Sequence, residues 1–203
     1  DDMLIRKIIS LYETESNKIN IDPLLPSLSK LATSSSKEIR SQSIAIFSEI
    51  YLKDQKTFEF LLEMFLRLAN NRNPEVRRDI CENLFKIIYT KPLVFEENIS
   101  IFQTLLKLSL DSDFEIQEII ASNLKESIEK CPKRAKDLLQ IIYVFLRRSD
   151  TPIKQLAIMA IRDIWVNNPD LQKDILKSVQ RFYKKSGYFD LLSLKGNLEE
   201  ESI

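Results

Sequence analysis

Few residues in this chain could carry out chemistry. It contains no histidine, which removes the commonest general base near neutral pH, the usual Ser-His and Cys-His nucleophile pairs and the commonest metal ligand. The two glycines, Gly187 and Gly196, both lie in the last twenty residues, so no Gly-rich loop precedes them to cradle a phosphate. We therefore predict a protein that is not an enzyme and that holds no cofactor.

The other residues with reactive or metal-binding side chains have simpler structural explanations. Asp111 and Asp113 share a turn, but two carboxylates without a third ligand are a weak metal signal, and capping of the following helix explains them better. We therefore predict no metal site. Cys81 and Cys131 fit neither a zinc spacing nor a disulfide framework, which favours a reducing, intracellular compartment.

Basic residues cluster in the C-terminal half, although the chain as a whole has no charge excess. Thirty Lys and Arg residues balance thirty Asp and Glu residues, so net charge does not draw the whole chain to nucleic acid. The candidate partner-binding residues of this cluster are Lys133, Arg134, Lys136, Arg147 and Arg148. Because cations at helix ends also complement the helix dipole, a solvated face is the alternative interpretation.

The elements that must position these residues repeat along the chain. An apolar residue, called the anchor here, follows a candidate helix N-cap by three positions and recurs 37, 40 and 37 residues apart. The anchors are Ile39, Val76, Ile116 and Ile153, and their caps are Ser36, Asn73, Asp113 and Asp150. Such a period is typical of a two-helix repeat of about 40 residues.

Apolar residues recur at matching offsets on both sides of each anchor. Eight residues before the anchors stand Leu31, Leu68, Leu108 and Phe145, and eight after them stand Phe47, Leu84, Leu124 and Ile161. These spacings keep the apolar side chains on one face of each of two helices. Trp165 shares its column with Ile88 and Ile128, so we predict that it packs in the core and does not form a stacking surface.

The second unit resembles a HEAT repeat. Its sequence is Asn73-Pro74-Glu75-Val76-Arg77, followed by an apolar pattern that runs to Ile88. The resemblance covers about residues 22–167. The third unit departs from the family with Gln117, where Arg or Lys is frequent, and the first with Ser43, where an apolar residue is usual. The resemblance implies an all-α fold, a right-handed α-solenoid of antiparallel helical hairpins.

We predict one HEAT-like domain over residues 1–203, with about four full repeats and partial flanking helices. Its parts are a partial repeat at 1–17, hairpins at 22–52, 54–90, 96–130 and 132–167, capping helices at 168–195 and an acidic tail at 196–203. A single repeat cannot bury its apolar face alone. An exposed apolar edge at residues 1–17 would therefore favour self-association or further repeats upstream.

A ladder of polar residues follows the anchors directly, and it consists of Arg40, Arg77, Gln117 and Lys154. In HEAT arrays the equivalent basic side chain often reaches the turn acids of the adjacent repeat, so the resemblance implies a structural role. The second helices line the concave face in that family. Arg40, Arg77 and Lys154 could for that reason meet an acidic partner instead.

These patterns favour a scaffold or adaptor that binds another protein through the solenoid surface. The expectation rests partly on the resemblance, since HEAT proteins commonly serve as scaffolds. The alternative is nucleic-acid binding through the basic C-terminal face, as in HEAT-like proteins that bind or repair DNA. No apolar run approaches the roughly 20 residues of a membrane span. We expect an intracellular, cytoplasmic protein, or a nuclear one in a eukaryote.

Overall fold

In a computed structural model the protein is all-helical over the residues that the structure describes, namely 7, 23, 25–53, 58–147 and 151–186. The α-helices in chain order are α1 (Leu25–Leu31), α2 (Lys37–Lys53), α3 (Phe58–Leu68), α4 (Pro74–Thr90), α5 (Pro92–Glu97), α6 (Ile99–Leu108), α7 (Phe114–Lys130), α8 (Ala135–Leu146), α9 (Thr151–Asn167) and α10 (Pro169–Ser186). A 3-10 turn, Pro132–Arg134, leads into α8. No strand occurs in these ranges, which confirms the predicted all-α class.

Four helices of equal length carry the repeat. Helices α2, α4, α7 and α9 have 17 residues each, and their first residues lie 37, 40 and 37 positions apart, as the anchors do. The side chains of Ser36, Asn73 and Asp113 each accept a hydrogen bond from a backbone amide in the first turn of the helix that follows. These bonds satisfy amides that the helix itself leaves free, and they confirm three of the predicted caps.

The apolar columns lie in the core. The anchors Val76, Ile116 and Ile153 have no exposed surface, and Ile39 is half-buried. On the first helices Phe65, Leu105 and Phe145 are buried as well, and the rings of Phe47 and Phe65 pack edge to face with their centroids 6.4 Å apart. Burying such side chains is the main stabilising contribution to each hairpin.

The third hairpin contains an element that the sequence pattern did not predict. Helix α5 begins between the predicted hairpins 54–90 and 96–130 and extends two residues into the second of them, and its Phe95 is completely buried. A helix of 6 residues is too short to show apolar periodicity. The anchor spacing of 40 residues instead of 37 at this point provides room for it.

The chain divides into two compact units, an N-terminal unit of residues 1–120 and a C-terminal unit of residues 121–203, with the boundary inside α7. In the N-terminal unit, α2 packs against α1, α3 and α4, while α6 packs against α3, α4 and α5. In the C-terminal unit, α8, α9 and α10 pack against one another. The single domain, the solenoid arrangement and the number of repeats stay predictions.

Some predicted segments lie outside the described residues. These are the partial repeat at 1–17 apart from residue 7, the part of the capping segment beyond residue 186, and the tail at 196–203. The first predicted capping helix is present as α10, which begins at Pro169. Among the described helices, none combines the length and the apolar character needed to cross a lipid bilayer.

Candidate interaction surfaces

The first residue of the ladder, Arg40, is an internal structural residue. It is only 1% exposed, and its Nε donates to Asp79 Oδ2 at 2.7 Å. One terminal nitrogen donates to the Ser34 carbonyl at 3.0 Å, and the other lies 2.7 Å from Glu75 Oε2. Because Asp79 and Glu75 lie on α4, the guanidinium joins two successive second helices. The guanidinium of Arg40 is therefore engaged within the chain, and its role in partner binding stays a prediction.

Arg77 repeats the arrangement one hairpin later. Its Nε and one terminal nitrogen each donate to the Asp111 carboxylate at 2.7 Å, and the other terminal nitrogen donates to the Asn71 carbonyl at 2.8 Å. The neighbouring Arg78 binds Asp113 in the same two-bond manner, at 3.0 and 2.6 Å. Such paired bonds fix the direction of both groups. They hold α4 against the turn that precedes α7.

Gln117 keeps only half of this pattern. The ladder residues Arg40, Arg77 and Gln117 each donate to the carbonyl of the residue six positions earlier, in the turn of their own hairpin. An amide side chain has no charge and a single nitrogen, so Gln117 lacks the paired, charged donors with which Arg77 binds a carboxylate. Gln117 is 1% exposed, and its Oε1 has no hydrogen-bond partner among the described residues.

The paired acids of the turn are ionised structural groups. Burial alone would raise the pKa of Asp111, but hydrogen bonds from Arg77 and from the Asp113 amide, with the Arg77 charge, hold that pKa below its ordinary value. The hydrogen bond from Arg78 is the main cause of the lowered pKa of Asp113. Within the described ranges, no three His, Cys, Asp or Glu side chains converge as metal ligands would.

The basic cluster of the C-terminal unit is only partly available. Arg134 donates to Asp137 at 3.0 Å, and Lys136, whose side chain is 72% exposed, lies 2.8 Å from Asp174. Lys133 and Arg147 are exposed, Lys154 is half-buried, and Arg148 lies outside the described residues. The structure therefore does not bring these residues together as a set of free cations.

A groove of about 460 Å³ lies in the N-terminal unit, between the turn after α3 and the turn after α6. Polar side chains of Asn70, Asn71 and Ser112 line it, together with Lys107 and Leu110. The Arg77–Asp111 pair lines it too. Leu110 is 63% exposed, and Lys107 Nζ donates to Asn70 Oδ1. The groove thus combines amide groups, an apolar side chain and a cation at one surface.

This groove is not predictable from the sequence, because its walls come from two turns that are distant along the chain. Only the stacking of the second and third hairpins brings Asn70 next to Lys107. One signal was present in the sequence. Lys30, Arg67 and Lys107 stand nine residues before three successive anchors, a recurring position for a basic residue on the first helices.

The two cysteines are buried, and the tryptophan is buried in part. Cys81 and Cys131 are not joined in a disulfide, and burial is the main cause of the raised pKa of Cys81, so its reactive thiolate form is disfavoured. Trp165 is half-buried, whereas Ile88 and Ile128 in the same column are at most 1% exposed. The predicted core position of Trp165 is thus met only in part.

Comparisons with known proteins add no family. No family model matches the chain, and no curated protein matches it. A solved structure of an engineered protein is similar with 19% identity and a TM-score of 0.48, over 75% of this chain and 66% of the engineered one. At that level the similarity carries no argument about the fold or the function of this chain.

Proposed function

We propose that the chain is a non-catalytic binding module of the HEAT type, a right-handed solenoid of about four hairpins that binds an extended segment of another protein. The groove between the turns after α3 and α6 carries this proposal. It lies where two successive hairpins meet, and repeat proteins use such extended surfaces for binding. Equal 17-residue helices at the anchor spacing support the repeat itself.

The chemistry of the groove suits a peptide main chain. Asn70 Nδ2 donates to the Leu66 carbonyl, Asn70 Oδ1 accepts from Lys107, and Asn71 Oδ1 accepts from the Asn73 amide. The second N–H of Asn70 and the side-chain N–H groups of Asn71 are the donors that would meet the carbonyl groups of an extended peptide. The 63% exposed Leu110 offers an apolar contact at the same place. A few buried apolar contacts supply most of the affinity in protein interfaces, and hydrogen bonds fix the register.

Nucleic-acid binding through the C-terminal unit is the second candidate. The exposed side chains of Lys133 and Arg147 favour it. The pairs Arg134–Asp137 and Lys136–Asp174 disfavour it, because a phosphate would compete with a carboxylate already in contact. Cys81 and Cys131 are buried and form no disulfide, which supports a reducing, intracellular compartment for either function.

Two leucines of equal exposure provide the test. Leu110 lines the groove and Leu93 does not, yet each is 63% exposed. We expect a protein partner captured from an extract of the source cell to be retained by Leu93→Asp and lost by Leu110→Asp. Equal retention by both variants would show that the groove is not the binding site. Capture of nucleic acid that Lys133→Glu and Arg147→Glu abolish would favour the second candidate.

A further inference from the structure

A row of exposed cations crosses the N-terminal unit beside the groove. Its members are Lys30, Arg67 and Lys107, each the penultimate residue of a first helix, α1, α3 or α6. All three are exposed. Since they stand nine residues before successive anchors, the stacking of hairpins that forms the groove also aligns them.

The contacts of these cations connect one hairpin with the one before it. A terminal nitrogen of Arg67 donates to Ser29 Oγ, beside Lys30, at 2.9 Å. Lys107 Nζ donates to Asn70 Oδ1, in the turn that follows the helix of Arg67. These two contacts link the ends of α1, α3 and α6 in order, and Lys107 belongs to the lining of the groove.

The cations of this row contact neutral groups in the described part of the chain. Arg67 donates to a hydroxyl and Lys107 to an amide oxygen. No described carboxylate forms an ion pair with Lys30, Arg67 or Lys107. In the ladder, by contrast, Arg40 and Arg77 each hold a carboxylate at 2.7 Å. The arginines of the ladder thus form ion pairs inside the protein, whereas the cations of the row are exposed at its surface.

A helix dipole favours a cation near the end of a helix, but it does not fix the position of that cation. Helix α8, the first helix of the next hairpin, has no basic residue in its last turn. At the matching position it has the half-buried Val144. The exposed Arg147 follows α8 as its C-cap instead. What is confined to the unit that contains the groove is therefore the position of the cation, nine residues before the anchor.

We propose that the row selects an acidic partner: the groove takes an extended segment of another protein that carries Asp or Glu residues and an apolar side chain. The acidic residues meet Lys30, Arg67 and Lys107, and the apolar side chain packs on Leu110. Complementary charge at the rim of an interface mainly sets specificity and association rate. This inference rests on the proposed function of the groove.

The test is selection from a displayed library of random peptides of about 12 residues, which span roughly 40 Å when extended. The full chain is compared with Arg67→Glu/Lys107→Glu and with a control of the same net charge, Lys86→Glu/Lys91→Glu, whose lysines are exposed elsewhere. We expect selected peptides to be acidic and to contain an apolar residue. The Arg67/Lys107 variant should lower their affinity on the order of tenfold, and the control should retain it.

Each other outcome is decisive. One is a set of selected peptides that need Leu110 for binding, show no acidic bias and bind the Arg67/Lys107 variant as well as the parent chain. That result would contradict the acidic partner, and the groove would still be the binding site. Equal losses in both charge-reversed variants also overturn it, because the attraction would then be unspecific. Failure of any peptide to bind in a Leu110-dependent manner overturns the proposed function together with this inference. Unfolding midpoints of both variants equal to that of the parent chain exclude a folding defect.

Discussion

The two units of the chain hold their helices together with different electrostatics. In the N-terminal unit, Arg40 and Arg77 have side chains that are 1% and 14% exposed, and they bind carboxylates that are 12% and 10% exposed. In the C-terminal unit, the pairs Lys125–Asp163 and Lys136–Asp174 lie at the surface, with side chains that are 39–72% exposed. Water and salt screen the second kind of pair far more than the first.

This difference shows that repeats with the same helix spacing can be joined either by buried ion pairs or by ion pairs at the surface. A buried arginine can satisfy a carbonyl of its own turn and a carboxylate of the next hairpin, because its guanidinium has five donors. The ladder stops at Gln117, in the helix where the two units divide. In the sequence, the position equivalent to Asp111 in the next hairpin holds Arg148, so no acid stands there for a basic ladder residue.

The largest loss of stability is expected when an anchor is replaced, and it should be similar in the two units. Val76 and Ile153 are anchors of the two units, and both are 0% exposed. Replacing either with Asp buries an unpaired charge and should cost more than about 4 kcal/mol. We expect the Val76→Asp and Ile153→Asp variants to show no cooperative unfolding transition when circular dichroism is measured against urea concentration.

The exposed residue next to each anchor is the control for this prediction. Glu75→Asp and Pro152→Asp place the same residue type one position away, at exposed sites, and both variants should fold. A folded Val76→Asp or Ile153→Asp protein with unchanged helicity would show that the anchor register is wrong in that unit.

The second prediction separates the units. Removing Asp79 leaves the buried Arg40 guanidinium with Glu75, whose side chain is 49% exposed, as its remaining acid. We expect Asp79→Ala to lower the free energy of unfolding by about 3 kcal/mol, because breaking a buried pair leaves an uncompensated charge. Asp163→Ala in the C-terminal unit removes an exposed acid and should leave the urea midpoint unchanged.

The double variant Arg40→Met/Asp79→Leu identifies the cause of that loss. If the uncompensated charge is responsible, two apolar residues of similar size should recover part of the stability that Asp79→Ala loses. No recovery would mean that the bond from Arg40 to the Ser34 carbonyl matters more than the ion pair. Equal losses for Asp79→Ala and Asp163→Ala would remove the contrast between the units.

The sequence predicted local features well and contacts between hairpins only in part. The resemblance implied that a ladder residue reaches a turn acid of the adjacent repeat, and Arg77 contacts Asp111 in this way. The caps Ser36, Asn73 and Asp113 and the buried anchors follow from short-range rules of helix formation. The acid that Arg40 binds was not predictable, because the positions equivalent to Asp79 hold Gln42 and Ile119 in the neighbouring hairpins. The groove depends on two turns from different hairpins, which periodicity along one helix does not relate.

The smallest expected effect is a difference in acid sensitivity. The pKa of Asp111 is lowered in the folded chain because the hydrogen bonds from Arg77 and the Asp113 amide outweigh burial, and that of Asp113 is lowered chiefly by Arg78. As the pH falls below about 5, the unfolded chain takes up these protons before the folded chain does, so the native state loses stability. Asp111→Asn/Asp113→Asn should be less stable at pH 7 and should lose less on acidification, as measured by urea midpoints.

Salt concentration distinguishes the contribution of Asp111 and Asp113 to stability from that of the surface residue Asp174. The hydrogen bond and charge of Lys136 lower the pKa of Asp174 as well, so Asp174→Asn should also flatten the acid profile at low ionic strength. The Asp174–Lys136 pair is open to solvent, and at about 1 M salt the screening length falls to roughly 3 Å. We therefore expect the effect of Asp174→Asn to vanish at high salt and that of Asp111→Asn/Asp113→Asn to persist, since the bonds to Arg77 and Arg78 are short and partly buried. If both effects vanish together, the ladder acids are no better shielded than the surface pair, and the two units differ in residue type alone.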